Sequence, residues 1–131
     1  KSLEANNQYD DAIAAFKQVA AINKSEWGAE ARYEIANCYF ALNQLSTAEK
    51  SAMQVIKVTA SYDYWVAKAY ILLGDIYLKE KDYFNAKATY KSVADNATIQ
   101  DLKKQAQDKL NIAISEEQQN SKVETTPDTT K

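Results

Sequence analysis

The chain has 131 residues, with 16 Lys and Arg against 18 Asp and Glu, so its formal charge of −2 leaves no general basic field to draw in nucleic acid or an anionic membrane. It has no histidine and a single cysteine, Cys38, which excludes an intramolecular disulfide and removes the usual residues of zinc sites and of histidine acid–base catalysis. Two glycines and one proline are too few turn residues for a β-rich domain, and an all-α chain of one domain is expected.

Read in order, the apolar periodicity predicts a helical stub at the N-terminus, then helices at about Tyr9–Ile22, Glu26–Leu42, Leu45–Ala60, Tyr64–Glu80 and Tyr83–Asp95. Ser25 and Asp63 stand where N-caps are wanted, and Ser46 with Glu49 reads as a capping box. A last helix, about Ile99–Glu117, carries Ile99, Leu102, Ala106, Leu110 and Ala113 on one stripe, with Ile112 off it and expected to be exposed. From 118 to 131 the chain turns to Asn, Ser, Thr, Asp and Lys with Pro127, a composition expected to leave a disordered tail. No apolar run is long enough to cross a bilayer, and no signal peptide opens the chain.

The stretch Tyr70–Val93 sets the pattern for the rest. Tyr70, Leu73, Gly74 and Tyr77 share one helical face, with a glycine where a second helix must come close; Ala86, Tyr90 and Val93 repeat the face after the polar break at Lys79–Asp82. The same constellation occurs 38 residues earlier: Trp27 matches Trp65, Ala29 Ala67, Ala31 Ala69, Ile35 Leu73, Ala36 Gly74, Tyr39 Tyr77, Leu45 Tyr83, Ala48 Ala86 and Val55 Val93. A partial third copy lies 36 residues before that, with Tyr9, Ala12, Phe16 and Val19 matching Leu45, Ala48, Ala52 and Val55, and with Leu3 at the Tyr39 position. The chain thus opens inside a repeat. The extra length of each unit belongs at Asn23–Ser25 and Thr59–Tyr62.

This pattern resembles the tetratricopeptide repeat (TPR), a helical hairpin of about 34 residues with an aromatic, Leu-Gly, Tyr, then Ala and an aromatic. The missing proline at each repeat end departs from it. The resemblance implies a right-handed α-solenoid of TPR hairpins with a C-terminal capping helix: a repeat domain over 1–117 (partial repeat 1–26, repeats about 27–62 and 63–98, cap 99–117), then the tail 118–131. The long units with Trp at the helix start are also similar to repeats of large bacterial TPR proteins, several associated with the cell envelope, which implies a soluble domain of the bacterial periplasm or cytoplasm.

Catalysis finds no apparatus. Asp10 with Asp11 and Glu116 with Glu117 are neighbours that point about 100° apart on a helix, and no phosphate loop, nucleophile elbow or metal-spaced cluster occurs. Neither a cofactor nor a metal is expected, and the chain is not expected to be an enzyme. Cys38 falls at the register of Ile76 and reads as a small buried hydrophobe. Trp27 and Trp65 read as packing at the helix start. Tyr39, Tyr77 and Tyr90 occupy core positions, whereas Tyr33, Tyr62 and Tyr64 are freer to bind.

In TPR proteins the first helix of each hairpin lines the concave surface through positions 2, 5, 9 and 12. Carried onto this chain, those are Glu30, Tyr33, Asn37 and Phe40, then Lys68, Ile71, Asp75 and Leu78. Aromatic and aliphatic side chains grouped off the packing face imply a groove for a peptide or protein segment; the alternative is that the terminal helix or a longer second helix covers them. One TPR class clamps a chaperone's C-terminal carboxylate with Lys and Asn at positions 5 and 9; only Asn37 fits, which argues against that role. The expected function is a non-catalytic scaffold binding another protein, without nucleic acid or membrane insertion. The alternative is a structural segment of a longer array, or a homodimer.

Overall fold

A computed structural model describes residues 3–22, 26–58 and 63–129, with side chains at 5–21, 27–58 and 63–121. It contains α1 (Leu3–Ile22), α2 (Glu26–Ala41), α3 (Leu45–Val58), α4 (Asp63–Lys79), α5 (Tyr83–Asn96) and α6 (Gln100–Thr129), and no strand among the described residues. Each helix packs on the next in sequence. In addition α2 touches α4 and α4 touches α6, whereas α1, α3 and α5 do not approach one another. The stack is therefore tighter along α2, α4 and α6, and these three helices form its inner row.

The turns that fold α2 onto α3 and α4 onto α5 are copies of each other. Asn43 and Lys81, 38 residues apart, take left-handed backbone conformations with φ of 61° and 62°. Around Asn43, the Asn43 N–H donates to the Phe40 carbonyl and the Gln44 N–H to that of Tyr39, both at 2.9 Å. Around Lys81, the donors are Lys81 to Leu78 at 2.9 Å and Asp82 to Tyr77 at 2.8 Å. This is the Schellman closure, which satisfies the last carbonyls of a helix, here without the glycine that removes its steric cost. Asp82 then caps α5, its carboxylate accepting from the Asn85 N–H at 3.2 Å. The Ser46–Glu49 box does not form, because Ser46 already lies inside α3 and Glu49 accepts the Tyr77 hydroxyl at 3.0 Å. The expected cap at Ser25 and the expected extra residues at 23–25 and 59–62 lie outside the described residues.

Three buried clusters follow one another along the stack. Ile13, Ala20, Ala31, Ile35 and Cys38 join α1 to α2. Ala36, Ala48 and Ala52 meet Leu72, Leu73 and Ile76 of α4. Ile71, Ala86, Tyr90, Val93, Leu102, Ala106 and Ala113 close α4, α5 and α6 together. A fully buried side chain such as Ile76, at 0 % exposure, contributes about 1.5–3 kcal/mol by leaving water. Within the last cluster the Gly74 expectation holds, since the edge of the Tyr90 ring lies directly against the glycine. One repeat earlier the same two positions are Ala36 and Ala52, both fully buried, so a small pair replaces a large residue on a glycine.

Among the described residues two boundaries differ from the sequence reading by more than one residue. A stub followed by a helix from Tyr9 was expected, but α1 runs unbroken from Leu3 through Asn7 and Gln8. The last helix was expected to end near Glu117, yet α6 continues to Thr129 through the stretch read as a tail. That reading weighed burial, and indeed no described residue beyond Ala113 is buried. In the segment Gln118, Gln119, Lys122 and Glu124 favour helix, whereas Asn120, Ser121, the threonines and Pro127 do not. Glu117 is also tied back to Lys87 of α5 by a 2.6 Å ion pair. The cap stripe itself is as expected: Leu102, Ala106 and Ala113 are buried, and Ile112 is half exposed.

Candidate functional site

The inner row carries the eight side chains assigned to the concave face, and α6 divides them. At the α2–α4 end the surface is open. Glu30 and Asn37 are exposed, while Tyr33 and Phe40 are half-buried, both packed against the cluster of Ala36, Leu72 and Ile76. Tyr33 also meets Trp65 of α4, ring centroids 5.6 Å apart and tilted by 43°. Tyr64 stands edge-on to the same indole at 4.8 Å.

Lys68 reaches into this group. Its ammonium is 4.9 Å from the Tyr33 ring centre, 5.6 Å from that of Tyr64 and 5.7 Å from that of Trp65. Ring faces attract the cation through their quadrupole, so the lysine and three rings hold one another in place. Burial, and then the negative charges of Glu34 and Asp75, push the Tyr33 hydroxyl up to about 12. The Trp65 indole Nε1 is enclosed without an acceptor among the described residues.

At the α4–α6 end the surface is closed. Ile71 was expected to stand off the packing face, but at 5 % exposure it belongs to the cluster under α6, and Leu78 packs against that cluster. The physical reason is the cap: α6 lays Leu102 and Ala106 over the face of α4 that an open groove would present. Asp75 is half-buried and fully engaged. It accepts the Tyr90 hydroxyl at 2.5 Å and both its oxygens accept from the Lys109 ammonium at 2.8 Å. Burial first, and then that hydrogen bond, raise the Tyr90 hydroxyl well above the usual phenol range.

The two tryptophans, matched in register, differ in place: Trp65 is half-buried, whereas Trp27 is 72 % exposed. Cys38 is buried as expected, and burial followed by the charge of Glu34 raises its thiol. Tyr90 is fully enclosed and Tyr39 and Tyr77 are half-buried, in keeping with core roles; Tyr64 is exposed, and Tyr62 lies outside the described residues. Sequence reasoning missed Lys109 and did not anticipate that Trp65 completes the Tyr33 surface. The signal for Lys109 was its place beside Leu110 on the cap stripe, one turn after Ala106.

A cleft of about 220 Å³ opens at the other end of the α4–α5 hairpin, between Asp63, Val66 and Tyr70 on one side and Asn96 and Ile99 on the other. Among the described residues no group of three or more His, Cys, Asp or Glu gathers as a metal site would, and no helix is long and apolar enough to cross a membrane.

Antiparallel helix pairs stacked on an inner row, each sharing its core with the next, define a helical-repeat solenoid. The chain belongs to the tetratricopeptide repeat family: two family models described as Tetratricopeptide repeat match it at residues 3–65 and 67–96. No curated protein matches it. Tetratricopeptide repeats are generally protein–protein interaction modules and typically non-catalytic scaffolds.

Proposed function

We propose that this domain is a non-catalytic binding module that docks a segment of another protein across α2 and the first half of α4. The contact surface is Glu30, Tyr33, Asn37, Phe40 and Lys68, with Asp75 and Leu78 at its far edge and Ile71 beneath as support. One observation carries the reading: Tyr33, Tyr64, Trp65 and Lys68 form a fixed aromatic and cationic platform that remains partly open on the inner row. Rigid aromatics offer large contact area at little entropic cost, which is how binding surfaces gain affinity.

A peptide selected from a displayed library on the folded domain tests this. Its binding should shift the backbone amide resonances of residues 30–40 and 64–68. Asn37→Arg, placed at an exposed position, should weaken that binding at least tenfold while leaving the helical circular dichroism unchanged. Shifts confined to α3 and α5, with binding indifferent to Asn37→Arg, refute the assignment.

A further inference from the structure

The outer helices α1, α3 and α5 are copies in register, but their C-terminal ends differ in charge. Such an end carries open carbonyls and the negative pole of the helix dipole, which a cation stabilises. At the end of α1 the cation comes from the next helix, the Arg32 guanidinium donating to the Ala20 carbonyl at 2.8 Å. At the end of α3 it is Lys57, in the last turn. The last turn of α5 has no basic residue. There the register of Lys57 is held by Asp95, which pairs with Lys91 one turn back at 3.0 Å.

Where the cation is missing, the surface is hollow. The cleft of about 220 Å³ lies between the last turn of α5 and the first turns of α4, and Asp63, Val66, Tyr70, Asn96 and Ile99 contribute to its lining. That lining includes the Asp63 carboxylate and, among the described residues, neither Lys nor Arg. Acceptors are in surplus. The Ala97 N–H closes on the Val93 carbonyl, and the carbonyls of Ala94, Asp95 and Asn96 take no backbone N–H among the described residues. The Asn96 amide donates to the Ser92 carbonyl at 2.9 Å, which leaves its oxygen as a further acceptor. Ala94 stands at the register of Ala20, the residue whose carbonyl Arg32 satisfies.

We infer that this cleft seats the guanidinium of an arginine presented by a partner protein, which does at the end of α5 what Arg32 does at the end of α1. Size selects a side chain, since pockets for whole ligands run to about 300–1,000 Å³ and this one is smaller. Chemistry selects arginine over lysine. A planar fork of five donors can meet a carboxylate through two bonds, reach carbonyls beside it and lie on an aromatic ring, here Tyr70, whereas an ammonium is a point charge. Val66 and Ile99 receive the aliphatic stem. The cleft lies between α4 and α5 and the aromatic platform between α4 and α2, so this contact stands without the docking surface proposed above.

Titration of the full chain with N-acetyl-arginine amide should move the amide resonances of residues 63–70 and 92–99 and leave those of 30–40 in place. N-acetyl-citrulline amide, the uncharged isostere, and N-acetyl-lysine amide should each bind at least about tenfold more weakly. Asp63→Asn should weaken the arginine probe about tenfold. Asn96→Arg, which brings the chain's own guanidinium to the cleft from an exposed position, should abolish its binding, and Asn37→Arg on the platform should change nothing. A displayed peptide library selected on the chain and counter-selected on the Asn96→Arg variant separates a partner's side chain from a free guanidinium compound. It should return segments whose affinity falls about tenfold when one arginine becomes citrulline. Absence of shifts at 63–70 and 92–99, equal binding of the citrulline or lysine probe, or indifference to both Asp63→Asn and Asn96→Arg overturns the proposal. So does a library without arginine-dependent segments, which would make the cleft a site for small guanidinium compounds, and so does loss of probe binding on Asn37→Arg, which would make cleft and platform one surface.

Discussion

Gly74→Ala should destabilise the domain, although alanine is the better helix former. A Cβ built on Gly74 would lie 2.6 Å from Cδ1 and 2.8 Å from Cζ of Tyr90, far inside contact distance along a whole ring edge. Tyr90 has little freedom to retreat, being fully buried with its hydroxyl held by Asp75 at 2.5 Å. The helix gains about 1 kcal/mol from alanine. Against that stand roughly 1–3 kcal/mol for overpacking and about 1.5–3 kcal/mol if the ring shift breaks a hydrogen bond to a carboxylate. The net expectation is a loss of about 2–3 kcal/mol. Urea denaturation followed by circular dichroism measures it. The chain supplies its own control, since Ala36 and Ala52 occupy the same two positions one repeat earlier. In a Tyr90→Ala background, Gly74→Ala should therefore change sign and stabilise by up to about 1 kcal/mol. A neutral or stabilising Gly74→Ala in the wild-type background would refute the close-approach argument.

The two turns predict the opposite sign for glycine. At Lys81 or Asn43, with φ near 60°, glycine removes about 1–2 kcal/mol of left-handed strain and costs about 0.5–1 kcal/mol of chain entropy. Lys81→Gly should thus raise the urea midpoint, and a lowered midpoint would count against the turn geometry. A second expectation concerns alkaline pH. Tyr33 ionises near 10.0 when unfolded and at about 12 when folded, so its contribution to stability is intact below about pH 10 and is lost as the pH rises through 12. Tyr77 and Tyr90 shift in the same direction. Tyr33→Phe should flatten the fall of stability between pH 10 and 12, and an unchanged slope would show that Tyr33 is not shielded as described.

Local pattern carried the repeat architecture because its determinants lie close together in the chain. Gly74 and Tyr77 are within one helical turn of each other, and Ala86, Tyr90 and Val93 follow after a short break, so period and spacing alone place them against one another, while Leu73 beside them turns to the preceding pair. Cys38 was legible through its match to Ile76. What was not legible depended on a distant helix. Whether Ile71 faces a groove or a core is decided by Leu102 and Ala106, more than a helix away in sequence. Asn7-Gln8 and Asn43-Gln44 are the same two residues in different conformations, the first pair inside α1 and the second in the turn after α2. Ser46 and Glu49 had capping-box spacing, but the helix begins at Leu45, two residues too early for Ser46 to cap it, and the Tyr77 hydroxyl claims the carboxylate. The path of α6 to Thr129 was not legible, because 118–131 offers neither an apolar stripe nor a run of strong helix formers.

The three clusters also bear on how the domain yields under load. Each is confined to neighbouring helices, and the inner helices link them: α2 gives Ala31, Ile35 and Cys38 to one cluster and Ala36 to the next, and α4 gives Leu72, Leu73 and Ile76 to one and Ile71 to the next. A pull between the ends of the stack therefore loads them in series, like links of a chain, and the force is not shared. The cluster joining α1 to α2 draws on two helices where each of the others draws on three, so it is the link expected to open first, with the aromatic platform on α2 and α4 still assembled.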